Sequence, residues 1–343
     1  MERGKTWTGR SLAAATVVIA ACACTPEAPF EGVLNVDASA PTFLSCAATK
    51  ADRVEFLFSE PVVVSSLRFD RSRHDAVATD DSAVVATFSQ ALEEGGEYVA
   101  DIIVEDSEGN TLSVLVPFRG RNDRMPPLRI TELRTEYAKP KVEFVELHLE
   151  AAGQLGGMRL VSSDQGFDVP LFEFPATEAA AGEYVVVHLR TLEDGCVDET
   201  GARDASSGTD ASPTGRDFWL PGAEKRVRKI DAIAVLDMEG RILDALLISE
   251  TKEGDWKNDE LVAAAERLED GGAWKRADGG SGPLSPADAF MSEATTTTRT
   301  ICRSEADADT DSASDWYVTV TKGATPGREN NPSRYIPKDS AGN

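Results

Sequence analysis

The stretch Lys141-Val142-Glu143-Phe144-Val145-Glu146-Leu147-His148-Leu149, with Leu128-Arg129-Ile130-Thr131-Glu132-Leu133 before it, decides the fold. Apolar and charged residues alternate with a period of two, the pattern of half-buried strands rather than of helix. The alternation predicts Val142 and Phe144 facing inward and Glu143 facing out. Downstream, Gly157-Met158-Arg159-Leu160, Ala181-Gly182-Glu183-Tyr184-Val185-Val186-Val187-His188 and Asp315-Trp316-Tyr317-Val318 extend the strand set. Ala324-Thr325-Pro326-Gly327-Arg328-Glu329-Asn330 closes it.

Upstream, residues 42–120 hold short apolar runs separated by turn residues. Val54-Glu55-Phe56-Leu57-Phe58, Ala83-Val84-Val85-Ala86-Thr87-Phe88, Tyr98 to Val104 and Leu112 to Val116 predict strands of a small antiparallel module. Glu93 to Glu97 and Ser107-Glu108-Gly109-Asn110 supply its turns. Gly120-Arg121-Asn122-Asp123-Arg124-Met125-Pro126-Pro127 then reads as a stiff boundary segment, with the linker proper at 121–127. Two insertions interrupt the second strand set. Residues 190–217, rich in Asp, Ser, Thr and Gly, predict a mobile loop. Within 254–290, Asn258 is placed to cap a helix whose Leu261, Ala264, Ala265 and Leu268 share one face, ending at Gly271-Gly272.

Charge and cysteine content narrow the function classes. The 343 residues carry 59 Asp+Glu against 35 Lys+Arg, a formal charge of −24. Such a field repels phosphate backbones, so nucleic-acid binding is not expected. Five Cys are too few for a disulfide scaffold.

At the N-terminus, Arg3, Lys5 and Arg10 precede an apolar run, Ser11 to Ala21, which is too short for the ~20 residues of a membrane-spanning helix. A basic start, a short apolar core and small residues at its exit read as a secretory signal peptide over 1–21. Ile19-Ala20-Ala21-Cys22 resembles the lipobox of bacterial lipoproteins, which implies cleavage before Cys22 and acylation of that residue, palmitate included. Residues 22–41, with Pro26 and Pro29, form the tether. Loss of residues 1–21 removes three cations and one anion, giving −24 − 2 = −26. In an oxidising compartment Cys196 and Cys302 can form a disulfide or stand as isolated thiols; spacing does not choose between them.

Few side chains suit catalysis. Glu132, Glu143 and Glu146 are carboxylates on neighbouring strands, read either as an acid–base pair or as sheet residues that face solvent or satisfy loop amides. His148 and His188 fall at strand ends without a third ligand at metal spacing. Asp307, Asp309 and Asp311 alternate as in a calcium loop, yet Ser312 and Val318 stand where such a loop needs Gly and Glu. Trp219, Trp256, Trp274 and Trp316 either floor a glycan or peptide groove or seal the ends of the module.

Two family resemblances follow from these motifs. Val54 to Val62 and Asp106-Ser107-Glu108-Gly109-Asn110-Thr111-Leu112 resemble the bacterial Ig-like modules of surface proteins. The ordered set Ile130-Thr131-Glu132-Leu133, Phe144-Val145-Glu146-Leu147, Gly157 to Leu160, Gly182-Glu183-Tyr184 and Thr325-Pro326-Gly327 to Asn330 resembles the bacterial lamin-tail domain over 128–331. The resemblances imply an all-β chain of two Ig-like β-sandwich domains, 42–120 and 128–331, with a tail at 332–343. The second carries a loop insertion and a short helical insertion. The expected function is a non-catalytic binding or structural module. It is anchored through Cys22 in the bacterial cell envelope, at the outer membrane and facing the periplasm or the surface, with an envelope protein or glycan as partner. No catalytic residue and no cofactor beyond calcium at the Asp307 run is expected. The alternatives are an envelope hydrolase of nuclease or phosphatase type and a calcium-dependent adhesion module.

Overall fold

In the first strand set, β1 (Phe43–Lys50), β2 (Arg53–Phe58), β3 (Val63–Phe69), β4 (Ala76–Asp80), β5 (Ala83–Thr87), β6 (Glu97–Glu105) and β7 (Thr111–Arg119) make two antiparallel sheets. Their orders are β1-β2-β5-β4 and β3-β6-β7. Alternate residues of β2 (Val54, Phe56, Phe58) and β6 (Tyr98, Ala100, Ile102, Val104) are buried in one shared core. Burial of that apolar area is what holds the two sheets together. The computed structural model describes residues 39–276, 279–280 and 282–337. The signal segment, Cys22 and most of the tether lie outside the described residues.

The second strand set is larger. It comprises β8 (Leu128–Arg134), β9 (Phe144–Leu149), β10 (Gly153–Gln154), β11 (Arg159–Ser162), β12 (Pro170–Glu173), β13 (Glu178–Ala179), β14 (Tyr184–His188), β15 (Arg216–Trp219), β16 (Asp231–Leu236), β17 (Ile242–Ser249), β18 (Phe290–Met291), β19 (Ile301–Arg303) and β20 (Trp316–Val318). A six-stranded sheet, β15-β14-β9-β8-β19-β20, and a five-stranded sheet, β12-β11-β16-β17-β18, contribute to a second core. Strands make up 38% of the described residues and helix 6%, so the described chain is mostly β, as an all-β class requires. Among the described residues no helix is long and apolar enough to cross a membrane.

The helical insertion forms as its sequence pattern predicts. Helix α1 (Asp259–Asp270) begins where Asn258 Oδ1 accepts the Leu261 N–H, and it buries Leu261, Ala264, Ala265 and Leu268. These side chains join the second core, and α1 lies against β16 and β17. Tertiary burial, more than propensity, stabilises so short a helix.

Three readings are corrected. Phe144 does not face the core: Val145, Leu147 and Leu149 do, while Phe144 packs under the Arg134 guanidinium on the opposite face. Glu143 does not face solvent but is fully buried against Arg190. Both faces of β9 are covered, so alternation of burial disappears and only alternation of chemistry remains. The 190–217 segment is fastened rather than loose: Glu193 accepts from Thr209, Glu199 from Ser206 and Asp217, and its last residues begin β15, parallel to β14.

The described residues from Ala40 onward cluster as one compact unit. The segment between the two strand sets is pinned on both sides. Asn122 Nδ2 donates to Gln154 O (2.7 Å) and Gly156 O (2.9 Å), and Arg124 reaches both Glu94 (2.6 Å) and Glu178 (2.5 Å). Gly95 and Gly156 meet backbone to backbone, and a Cβ on Gly95 would stand 2.5 Å from Gly156 Cα. Only glycine permits that approach.

Candidate functional site

The outer face of the six-stranded sheet, away from the core, carries a buried polar row. Strand β8 has a bulge: Ile130 pairs with Leu147 and Glu132 with Glu146, which leaves Thr131 without an opposite residue. The slip places Glu132 directly across from Glu146. Cys302 and Tyr317 continue the row on β19 and β20. Both glutamates are fully buried.

A strap, the irregular segment after β20, lies over this row. The Thr325 N–H donates to Glu132 Oε2 (3.0 Å) and the Gly327 N–H to Glu146 Oε2 (2.5 Å). Their other oxygens are occupied from below. The Thr300 hydroxyl donates to Glu132 Oε1, and the bulged Thr131 hydroxyl to Glu146 Oε1 (2.7 Å). Asn330 Nδ2 fixes the end of the strap on Thr131 O (2.8 Å) and Arg303 O (3.2 Å). Ser212 and Thr214, from the 190–217 segment, donate to Pro326 O and Gly327 O.

Burial raises the pKa of Glu132, against the pull of its hydrogen bonds. Burial and the Glu132 carboxyl together hold Glu146 well above the ordinary range. Two carboxylates opposite each other and away from water cannot both ionise cheaply, so burial favours the neutral form of the pair. At the rim, Glu305 accepts from Tyr184 Oη (2.6 Å) and from the Asn330 N–H (2.7 Å), with His148 stacked on the Tyr184 ring.

The remaining candidates are each engaged elsewhere. Glu143 is in a bidentate pair with Arg190, so it does not join Glu132 and Glu146. His148 and His188 sit at opposite ends of the β9–β14 pairing and do not meet. His188 Nε2 lies 2.8 Å from Asp217 Oδ1, and its ring stacks on Trp219 at 3.7 Å. Cys196 and Cys302 are free thiols, so the disulfide is not formed. Cys302 lies in the buried row and Cys196 beside Gly208 and Trp219.

The acidic run does not converge on an ion. Asp307 accepts from Ser304, Asp309 pairs with Arg303, and Asp311 with Lys275 (2.6 Å). Among the described residues, no three His, Cys, Asp or Glu side chains are grouped to hold a metal. The tryptophans do not line one groove: the indole N–H of Trp219 donates to Ser206, of Trp256 to Leu284 O and of Trp274 to Asp288 O, and Trp316 lies under Arg303. A cavity of about 520 Å³ opens at the seam between the strand sets, among Val99, Pro117, Arg119, Arg159, Glu173 and Met238.

Sequence reasoning missed a second buried device. Arg303 donates Nη2 to both Asp244 oxygens (2.9 and 2.8 Å) and Nε to Ile130 O (2.9 Å). Asp244 lies on β17, so the pair ties the two sheets together. Burial pushes the Asp244 carboxyl up to about 6 even beside Arg303. Its sequence gives one faint signal, a charge at an inward position of Ile242-Leu243-Asp244-Ala245-Leu246. The bulge had a clearer one: Ile130 and Leu133 are three residues apart where alternation requires two.

A protein-family model described as a protein second domain matches residues 126–318, 193 of the 343 residues. An uncharacterized protein of Treponema pallidum (strain Nichols) is 31% identical over 210 residues. The match covers 58% of this chain and 53% of the relative, so the chain spans about half the length of that curated relative. No solved structure matches the chain.

Proposed function

The chain belongs, through residues 126–318, to this second-domain family, and from that premise we propose that it is a lipid-anchored protein of the bacterial cell envelope whose β-modules serve as a non-catalytic binding or structural unit. In this reading residues 42–120 form an Ig-like module and 128–331 a lamin-tail-like sandwich. Cys22 carries the anchor, and the partner is an envelope protein or glycan.

One observation carries the lamin-tail part. The motif residues that suggest it lie almost 200 positions apart, yet they meet: Glu132 and Glu146 hold Thr325 and Gly327, and Asn330 closes on Thr131. The non-catalytic part is supported by the occupation of those carboxylates, whose oxygens face strap amides and threonine hydroxyls rather than a cleft. The anchor rests on Ile19-Ala20-Ala21-Cys22. A lipobox cysteine carrying a diacylglycerol and an N-linked acyl chain exceeds the two chains that stable attachment needs.

Membrane partitioning and fatty-acid labelling of wild type and Cys22→Ala test the anchor. Loss of both in the variant supports it. Equal partitioning of the two proteins, or label on neither, refutes it.

A further inference from the structure

We propose that Glu132 and Glu146 form a proton-operated clasp: while the pair holds a proton, Thr325–Asn330 stays fastened over the sheet, and loss of that proton releases it. This goes beyond the envelope reading and does not depend on it.

Geometry carries the proposal. The two carboxyls are cross-strand neighbours, fully buried, and each accepts one strap amide. Like charges directly opposite on paired strands repel, and more strongly away from water. The groups that face the pair do not neutralise a second charge. On β8, Arg134 favours the charge of Glu132 alone and is itself paired with Asp210 at 2.9 Å, so it leaves a second charge on Glu146 without a partner. On β9, His148 is at the rim, 4.0 Å from Glu305. Tyr184 of β14, Cys302 of β19 and Tyr317 of β20 are themselves held in their neutral forms, by burial first and then by neighbouring acidic groups. Glu305 adds a further negative charge facing Glu146. From the strap, Glu329 acts on Tyr184, and Arg334 stacks over the Tyr317 ring.

The strap is the part that yields. Strands β8 and β9 are held by a ladder from the Leu128 and Leu149 pair to the Arg134 and Phe144 pair, broken only by the bulge at Thr131, whereas the strap is fastened by side-chain caps and a few backbone bonds such as Val320 N to Ser333 O. Elements with few such bonds open first. On opening, the pair meets water and its proton passes to solvent, so the closed strap plus no proton is the disfavoured combination.

Release of one proton per opening makes the opening constant rise about tenfold per pH unit. Hydrogen exchange at the Thr325 and Gly327 amides, expressed as protection factors between pH 5 and 9, reads this directly. Amides of Leu147 and Val185 in the sheet serve as the reference for global unfolding. In wild type, strap protection is expected to fall about tenfold per unit while the sheet stays protected. In Glu146→Gln, whose carboxamide reproduces the neutral acid, protection should be flat. Glu132→Gln provides the same test from the opposite strand. Flat protection in wild type overturns the proposal. So does an equal slope in wild type and both variants, or a strap open at every pH in both variants.

Discussion

The backbone N–H of Thr325 donates to Glu132 Oε2 at 3.0 Å across 193 positions of sequence. The bond fastens the strap onto the first strand of the second set, so the outer face of that sheet is covered only when the strap is in place. Glu146 and Asn330 repeat the arrangement on either side. The candidate site is therefore a closure of the fold, built from polar groups on a sheet face that usually meets water.

Asn330→Ala removes two donors from buried carbonyls, Thr131 O and Arg303 O. The variant is expected to lose about 1–3 kcal/mol in urea unfolding. A loss below about 0.5 kcal/mol, the range of an ordinary surface substitution, would show that the strap end contributes little.

Arg303→Met leaves Asp244 buried without its cation, at a cost of about 3–5 kcal/mol. Adding Asp244→Leu should recover more than half of the loss, because a buried pair is often replaceable by packed apolar side chains. A double variant no more stable than the single one would place the loss in Arg303's other contacts, Ile130 O, Asp309 and the Trp316 ring, instead.

Stability should decline from pH 5 to pH 8. Asp231 and Asp244 are held up at about 6, chiefly by burial, from an unfolded value of 3.8. The folded state thus binds more protons than the unfolded state, and the stability present below 3.8 is lost as pH rises through about 6. Glu132 and Glu146 act in the same direction. Each aspartate contributes about 1 kcal/mol to the fall between pH 5 and 7, read as a lower Tm at pH 8 than at pH 5. A Tm that rises over this interval would contradict the protonated state of these groups.

Thiol labelling separates the cysteines. Cys302 is buried and its thiol is raised well above its ordinary value, while Cys196 is half-exposed and raised less. An alkylating reagent at pH 7 should modify Cys196 at least about tenfold faster than Cys302 in the folded chain, with Cys302 reacting only in denaturant. A Cys196–Cys302 fragment in a non-reducing digest would contradict the free thiols.

Local pattern was enough for much of the fold. Period-two alternation gave strands in both sets, since a strand's side chains point to opposite faces whatever packs on them. Asn258 and the Leu261–Leu268 stripe gave α1, because a cap and a 3.6-residue face are properties of the segment itself. Which face of β9 meets the core was not legible. Phe144 and Val145 are equally apolar, and only the strap and Arg134 make the outer face a second buried layer. The destiny of Glu132, Glu146, Asp244 and Arg303 was equally hidden. A carboxylate's burial and partners are fixed by groups that arrive from distant sequence, 59 positions away for Asp244 and Arg303 and 193 for Glu132 and Thr325, and no local periodicity encodes their arrival. Sequence determined the elements; tertiary structure decided which polar side chains left water, because desolvation is a property of the assembled face and not of any one strand.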